Sequence, residues 1–159
     1  MPNLLDKLLA MRDEQRERMK TARCVVRFKD LPWEQNRYGK MKWLLHPSIM
    51  DTAVRTQIMY ILEISPGSRS GKIQHQGGIL FYVWAGKGYT VINGTRHDWE
   101  EEGEVMVPVI PEGAVFQHFN TDPANPARLV GATPNSVDIF GVDVGAGFEI
   151  LEDCPEYGA

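Results

Sequence analysis

Histidine is the side chain of this sequence best suited to chemistry, since a neutral imidazole can ligate a metal or take up a proton near neutral pH. The sequence has four of them. His46 precedes a proline, which favours an extended or turn backbone. His97 adjoins Asp98 and an acidic run, which is typical of a solvated turn. His75 and His118 fall within predicted strands, and they are therefore the candidate metal ligands or general bases.

The elements that would position these histidines are short strands separated by Gly- and Pro-containing turns. Asn93 and Gly94 predict a type I′ hairpin turn, and residues 86–88 predict a tight reversal. Such a series is typical of an all-β barrel or sandwich in a single domain. Strands are predicted over residues 24–28, 42–45, 56–65, 72–76, 79–85, 89–92, 105–109, 114–119, 127–132 and 137–144.

Alternation along these strands predicts which side chains point inward. Positions 73, 75 and 79 have the same parity, so we expect them to share the face that lines the barrel interior. Positions 116 and 118 would reach the same interior from a facing strand. Trp84 has the opposite parity, and we expect it on the outside, packed against a helix or against a partner's surface.

Two segments carry a family resemblance. Residues 71–88, which include His75 and a Tyr-Val pair followed by Gly86, resemble the first cupin motif. Residues 103–120, which include Pro111-Glu112-Gly113 and end at Asn120, resemble the second. The resemblance implies an all-β fold, a cupin jelly-roll β-barrel with an N-terminal α-helix. It also implies a metal site of histidines at positions 73, 75 and 116 with a carboxylate near 79, which holds iron for oxygen insertion in many members.

The sequence departs from the family pattern at three of these four positions. Ile73 and Phe116 stand where histidines are expected, and Ile79 stands where the glutamate is expected. His75 matches a family ligand, and His118 lies two residues beyond the expected place on the same strand face. These two histidines are the remnant metal-ligand candidates, and Ile73, Ile79 and Phe116 are the lost ligand positions.

Three interpretations of the barrel interior remain open. In the first, His75 and His118 are hydrogen-bonded core histidines, and the three apolar replacements fill the space of the metal and its pocket. In the second, the two histidines hold a weak divalent metal, completed by water, a substrate, or Gln76 if the strand bulges after it. In the third, a metal-free pocket uses a histidine as general base.

The N-terminal segment predicts a helix over residues 3–20. Asn3 can cap it, Asp6 suits its positive end, and Leu4, Leu5, Leu8 and Leu9 form a short apolar stripe. Such a stripe should lie against the barrel or against another subunit. We therefore divide the chain into an N-terminal helical arm, residues 1–22, and a cupin β-barrel, residues 23–159.

Composition excludes several classes of partner. A net charge of −4 and the lack of a basic stripe argue against nucleic acid. No apolar run is long enough to span a bilayer and no signal-peptide pattern is present, so we expect no membrane. The two cysteines, Cys24 and Cys154, are expected as free thiols of a cytoplasmic protein.

Five further short segments resemble the sequences of small cupins of aromatic catabolism. These segments are residues 67–71, 76–78, 89–91, 98–100 and 117–120. The loss of metal ligands in a chain of this size also resembles the small subunit of two-component hydroquinone 1,2-dioxygenases. The resemblance implies that this chain binds no cofactor itself and that Fe²⁺ resides in a larger cupin catalytic subunit, its partner in a hetero-oligomer. The alternatives are a homodimer and a stand-alone enzyme, with a weak divalent metal or none, acting on a small aromatic substrate.

Overall fold

A computed structural model describes residues 3–137 and 148–158. The predicted helix is confirmed as α1 (Leu4–Lys20), and the Asn3 side chain accepts a hydrogen bond from the Asp6 amide at 2.9 Å. No residue of α1 is buried, and Leu4 and Leu8 keep 81% and 62% of their surface exposed. The arm therefore does not cover an edge of its own barrel.

Within the described residues, eleven strands and one turn of 3₁₀-helix (Phe28–Asp30) follow the arm. The expected strands agree with the observed ones to within a few residues, with the exceptions below. The strands are β1 (Glu34–Gln35), β2 (Lys40–Leu45), β3 (Gln57–Ile64), β4 (Lys72–His75), β5 (Ile79–Ala85), β6 (Lys87–Ile92), β7 (Thr95–Glu100), β8 (Glu104–Val107), β9 (Ala114–Asn120), β10 (Ala127–Pro134) and β11 (Phe148–Glu152).

The predicted strand over residues 24–28 was wrong. Its apolar residues have strand propensity, but the segment joins neither sheet, and β1 is the strand that pairs with the outer edge of β2. Val25 is consequently 73% exposed. The segment is held by Lys42, whose ammonium donates to the Phe28 carbonyl at 3.0 Å and lies 4.3 Å from the centre of the Phe28 ring.

The strands form two antiparallel sheets that face each other across the core. One has the order β1-β2-β3-β10-β5-β8 and the other β11-β4-β9-β6-β7. Gly86, with φ of 91°, alone links β5 in the first sheet to β6 in the second. These two strands do not pair with each other, so residues 86–88 pass from one sheet to the other instead of making the predicted tight reversal. The hairpin between β6 and β7 is confirmed, with φ of 48° at Asn93 and 83° at Gly94, the positive values of a type I′ turn. The jelly-roll expectation is thus correct.

Three elements differ from expectation, and one prediction lies beyond the described residues. Strand β1 was not predicted. His97 and Asp98 belong to strand β7 rather than to a turn, and both are exposed. Strand β11 was not predicted, and it extends the second sheet by pairing with β4. The strand predicted over residues 137–144 falls, after Val137, outside the described residues.

Candidate functional site

The three lost ligand positions meet in the core, as their parity predicted. Ile73 on β4 pairs directly with Phe116 on β9, and Ile79 begins β5 in the opposite sheet. Their exposed fractions are 0%, 1% and 3%. The place where a cupin metal would be ligated is therefore lined by hydrocarbon from both sheets, which offers no donor to a cation.

The two candidate histidines share a face but lie far apart along it. His75 pairs with Ala114, and His118 lies four residues further along β9. At about 3.3 Å per residue, this offset separates them by roughly 13 Å along the strand. Each ring also has its own partner, since His75 Nδ1 contacts the Gly77 carbonyl and His118 Nδ1 contacts Thr90 Oγ1, so both Nδ1 atoms are already engaged.

His118 is a fully buried, neutral histidine. Thr90 Oγ1 accepts a hydrogen bond from Trp99 Nε1 at 2.9 Å and lies 2.7 Å from His118 Nδ1. His118 Nε2 has no hydrogen-bond partner within the described part of the chain. Complete burial lowers the pKa of His118 to about 3. The surrounding rings include Phe81, whose centroid lies 4.4 Å from that of His118.

His75 has a different environment and a defined tautomer. Its Nδ1 lies 2.5 Å from the Gly77 carbonyl, which can only accept, so Nδ1 carries the proton. In the neutral ring Nε2 is then an acceptor. Burial lowers the pKa of His75, against the opposing effect of its bond to Gly77. Gln76, the further ligand considered above, instead donates to the Pro111 carbonyl at 3.1 Å.

A cavity of about 430 Å³ lies beside His75 between the two sheets. Of the lost ligand positions, Ile79 forms one wall of the cavity, whereas Ile73 and Phe116 do not line it. Large aromatic side chains line its other walls. These include Tyr38, Trp43, Tyr60 and Phe148.

A clamp between distant parts of the chain fixes one wall of the cavity. The Cys154 amide donates to the Arg37 carbonyl at 2.8 Å, and the Gly71 amide donates to the Tyr38 carbonyl at 2.7 Å. The Arg37 guanidinium also forms a 2.6 Å ion pair with Asp153. These contacts hold residues 36–38, including the buried ring of Tyr38, against β4 and β11.

Sequence reasoning missed the tyrosines of this cavity. Tyr38 and Tyr60 are 4% and 5% exposed, and their ring centroids are 6.1 Å apart. Burial raises the pKa of both phenols, so both are neutral. The Tyr38 hydroxyl is buried without a partner in the described structure. Period-two alternation could have placed Tyr60 inside, but Tyr38 lies in a loop, where no periodic signal exists.

The remaining candidates have structural surroundings. Trp84 lies outside the barrel as predicted, edge-to-face with Phe28 at 4.9 Å. His46 accepts the Ser48 amide at 3.1 Å. The structure records Cys24 and Cys154 as free thiols.

The described residues do not fit the iron site that the fold family implies. Within residues 3–137 and 148–158, no three or more His, Cys, Asp or Glu side chains converge as a metal site would require. His75 is the one family ligand that remains, and the other three ligand positions hold hydrocarbon side chains.

Within residues 3–137 and 148–158, no helix is long and apolar enough to cross a membrane.

Comparisons with known proteins agree with the architecture. No protein-family model and no curated protein matches the sequence. Among solved structures, the chain is similar to a cupin-like protein from Thermotoga maritima, with a TM-score of 0.52, 21% identity and coverage of 72% of this chain and 78% of that one. It is also similar to the polyketide cyclase RemF from Streptomyces resistomycificus, with a TM-score of 0.58, 17% identity and coverage of 70% of this chain and 79% of that one. A third similar structure is a predicted oxalate decarboxylase from Thermotoga maritima, with a TM-score of 0.56, 18% identity and coverage of 69% of this chain and 97% of that one. The chain therefore has the cupin fold that its two motifs predicted.

Proposed function

We propose that this chain is a degenerate cupin that acts as the small, non-iron subunit of an aromatic ring-cleaving dioxygenase of the hydroquinone type. The observation that carries the proposal is the buried set Ile73, Ile79 and Phe116, at 0%, 3% and 1% exposure where ligands are expected. In this role iron resides in a larger cupin partner, and this chain binds and stabilises that partner in the cytoplasm.

The arm supplies a candidate contact surface for the partner. Leu4, Leu5 and Leu8 on α1 are 81%, 63% and 62% exposed, although their side chains are apolar. An obligate interface typically buries about 2,000 Å² or more and is rich in apolar residues. A helix with an exposed leucine stripe and no buried residue suits such an interface.

Co-expression with a large cupin encoded beside this gene tests the proposal. We expect the two chains to co-purify, and we expect oxygen uptake on hydroquinone from the pair but not from this chain alone. Leu8→Glu should weaken co-purification, whereas Ala10→Glu, which adds the same charge on the opposite face of α1, should not. Activity of this chain alone with ferrous iron would contradict the subunit role, as would a stable, inactive homodimer whose gene has no large cupin neighbour.

The second candidate is a stand-alone, metal-free enzyme, and the cavity beside His75 is the observation that favours it. His75 has a neutral ring with an acceptor nitrogen, as a general base requires. The structure shows no carboxylate at its Nδ1, which binds a backbone carbonyl instead. A pH–rate profile on small aromatic substrates would distinguish this candidate from the subunit.

A weak divalent metal on His75 and His118 is the variant of this candidate that the geometry favours least. Metal analysis of protein purified without chelator tests it. Near-stoichiometric iron, manganese or zinc would support a metal-dependent enzyme and would count against the non-iron subunit.

A further inference from the structure

We infer that the cavity of this chain binds a neutral phenolic compound of one or two rings, whose hydroxyl donates a hydrogen bond to His75 Nε2. This inference goes beyond the subunit role, because binding is expected of the chain alone, without iron and without a partner.

The size and walls of the cavity favour a flat aromatic ligand. Its volume of about 430 Å³ lies within the range of small-molecule sites, which is roughly 300–1,000 Å³. Trp43, Tyr60 and Phe148 are among its lining residues. Rings in such surroundings gain from edge-to-face or offset packing in addition to burial. Trp43 and Tyr60 already pack this way, with centroids 5.5 Å apart.

His75 sets the polarity that the ligand must have. Because Nδ1–H is committed to the Gly77 carbonyl, the ring can only accept a further hydrogen bond, at Nε2. Burial lowers the pKa of this imidazole, which keeps it neutral and accepting. The ligand must therefore bring a donor. The Tyr60 phenol, which also lines the cavity and is neutral, can donate to an oxygen of the same ligand.

The charges around the cavity exclude an anionic ligand. Arg37 is the only Lys or Arg side chain among the described lining residues, and Asp153 already neutralises it at 2.6 Å. A carboxylate in this cavity would lose its hydration without gaining a free cation, which is costly. A neutral compound with a hydroxyl donor meets both requirements, and a phenol is the aromatic form of such a compound.

Calorimetric titration of the purified chain with three naphthalene probes tests the inference. 2-Naphthol carries the hydroxyl donor, 2-methoxynaphthalene lacks it, and 2-naphthoate replaces it with a charge. We expect 2-naphthol to bind about fivefold more tightly than the ether, the equivalent of ~1 kcal/mol for one hydrogen bond. We expect no measurable binding of 2-naphthoate.

The variant His75→Phe should bind 2-naphthol and the ether equally, because it keeps a flat ring but removes the acceptor. His97→Phe, a matched change at an exposed position on β7, should keep the fivefold preference. Circular dichroism should confirm that each protein is folded. The inference is overturned if the wild type does not bind 2-naphthol, prefers the naphthoate, or does not discriminate the ether, or if His75→Phe keeps the preference. None of these results bears on co-purification with a large cupin, so the subunit role stands or fails separately.

Discussion

His118 makes the barrel sensitive to mild acid, and the effect can be calculated from its surroundings. The pKa of this histidine is about 3 in the folded protein, against a reference value of 6.5. Because the folded state resists protonation, the unfolded state binds more protons between these values, and stability falls as the pH falls through this window. Lowering the pH from about 7.5 to about 5 should cost about 2 kcal/mol of unfolding free energy through His118 alone.

The burial of His118 explains why this cost is not offset. Its side chain contacts Thr90 and the rings of Tyr38, Phe81 and Phe116, none of which can stabilise an added positive charge with a full negative one. The protonated ring would therefore be a buried cation without a counter-charge, which proteins rarely tolerate.

Urea denaturation across this pH range measures the effect. His118→Gln has a neutral side chain at every pH, so its unfolding free energy should lack the decrease of about 2 kcal/mol, although it is less stable at neutral pH. The exposed His97→Gln should behave as the wild type. The pKa of His75 is also lowered, but this residue is present in all three proteins and cancels in the difference. Equal pH slopes in wild type and His118→Gln would refute the reasoning.

Three further predictions concern packing, the metal site and the arm. Gly88→Ala should destabilise the barrel by about 3 kcal/mol or more in urea denaturation, because its Cβ would lie 1.9 Å from the Phe119 carbonyl oxygen; a change below about 1 kcal/mol would contradict this packing. The family ligands can be restored by the substitutions Ile73→His, Ile79→Glu and Phe116→His. This variant should have a lower melting temperature than the wild type without metal, and Mn²⁺ or Fe²⁺ should raise that temperature, with metal analysis as the check. A variant that takes up no metal would show that the site has lost more than its ligands. Removal of residues 1–22 should leave the unfolding free energy of the barrel within about 0.5 kcal/mol, because no residue of α1 is buried; a larger loss would show that the arm stabilises its own barrel.

Local chemistry predicted those parts of the fold that depend on neighbouring residues. Asn93-Gly94 can adopt the two positive φ values of a type I′ turn, and the observed turn has them. The Asn3 cap likewise determines where α1 begins. Parity alone placed Ile73, Ile79 and Phe116 in the core, because a strand buried on one side allows only one assignment of faces.

Properties that depend on how strands meet could not be predicted in this way. Parity showed that His75 and His118 share a face, but only the pairing of His75 with Ala114 shows how far apart they are. The residues at 24–28 have the composition of a strand, yet they join neither sheet, and β1 pairs with the outer edge of β2 instead. The sequence could suggest a pocket beside a histidine but not its size or its walls, because the volume depends on the spacing of two sheets, which no single segment encodes.

The clamp at the cavity wall has a consequence for how the protein is made. Ribosomes release the chain from its N-terminus, so Arg37 and Tyr38 emerge long before Asp153 and Cys154, to which this wall is bound. Strand β10 is likewise synthesised after β3, with which it pairs in the first sheet. Arg37 and Asp153 are more than 110 residues apart, so at about 5–20 residues per second they are synthesised several seconds apart. During that interval the aromatic side chains of the cavity have no complete wall, and the binding site is among the last parts of the molecule to exist.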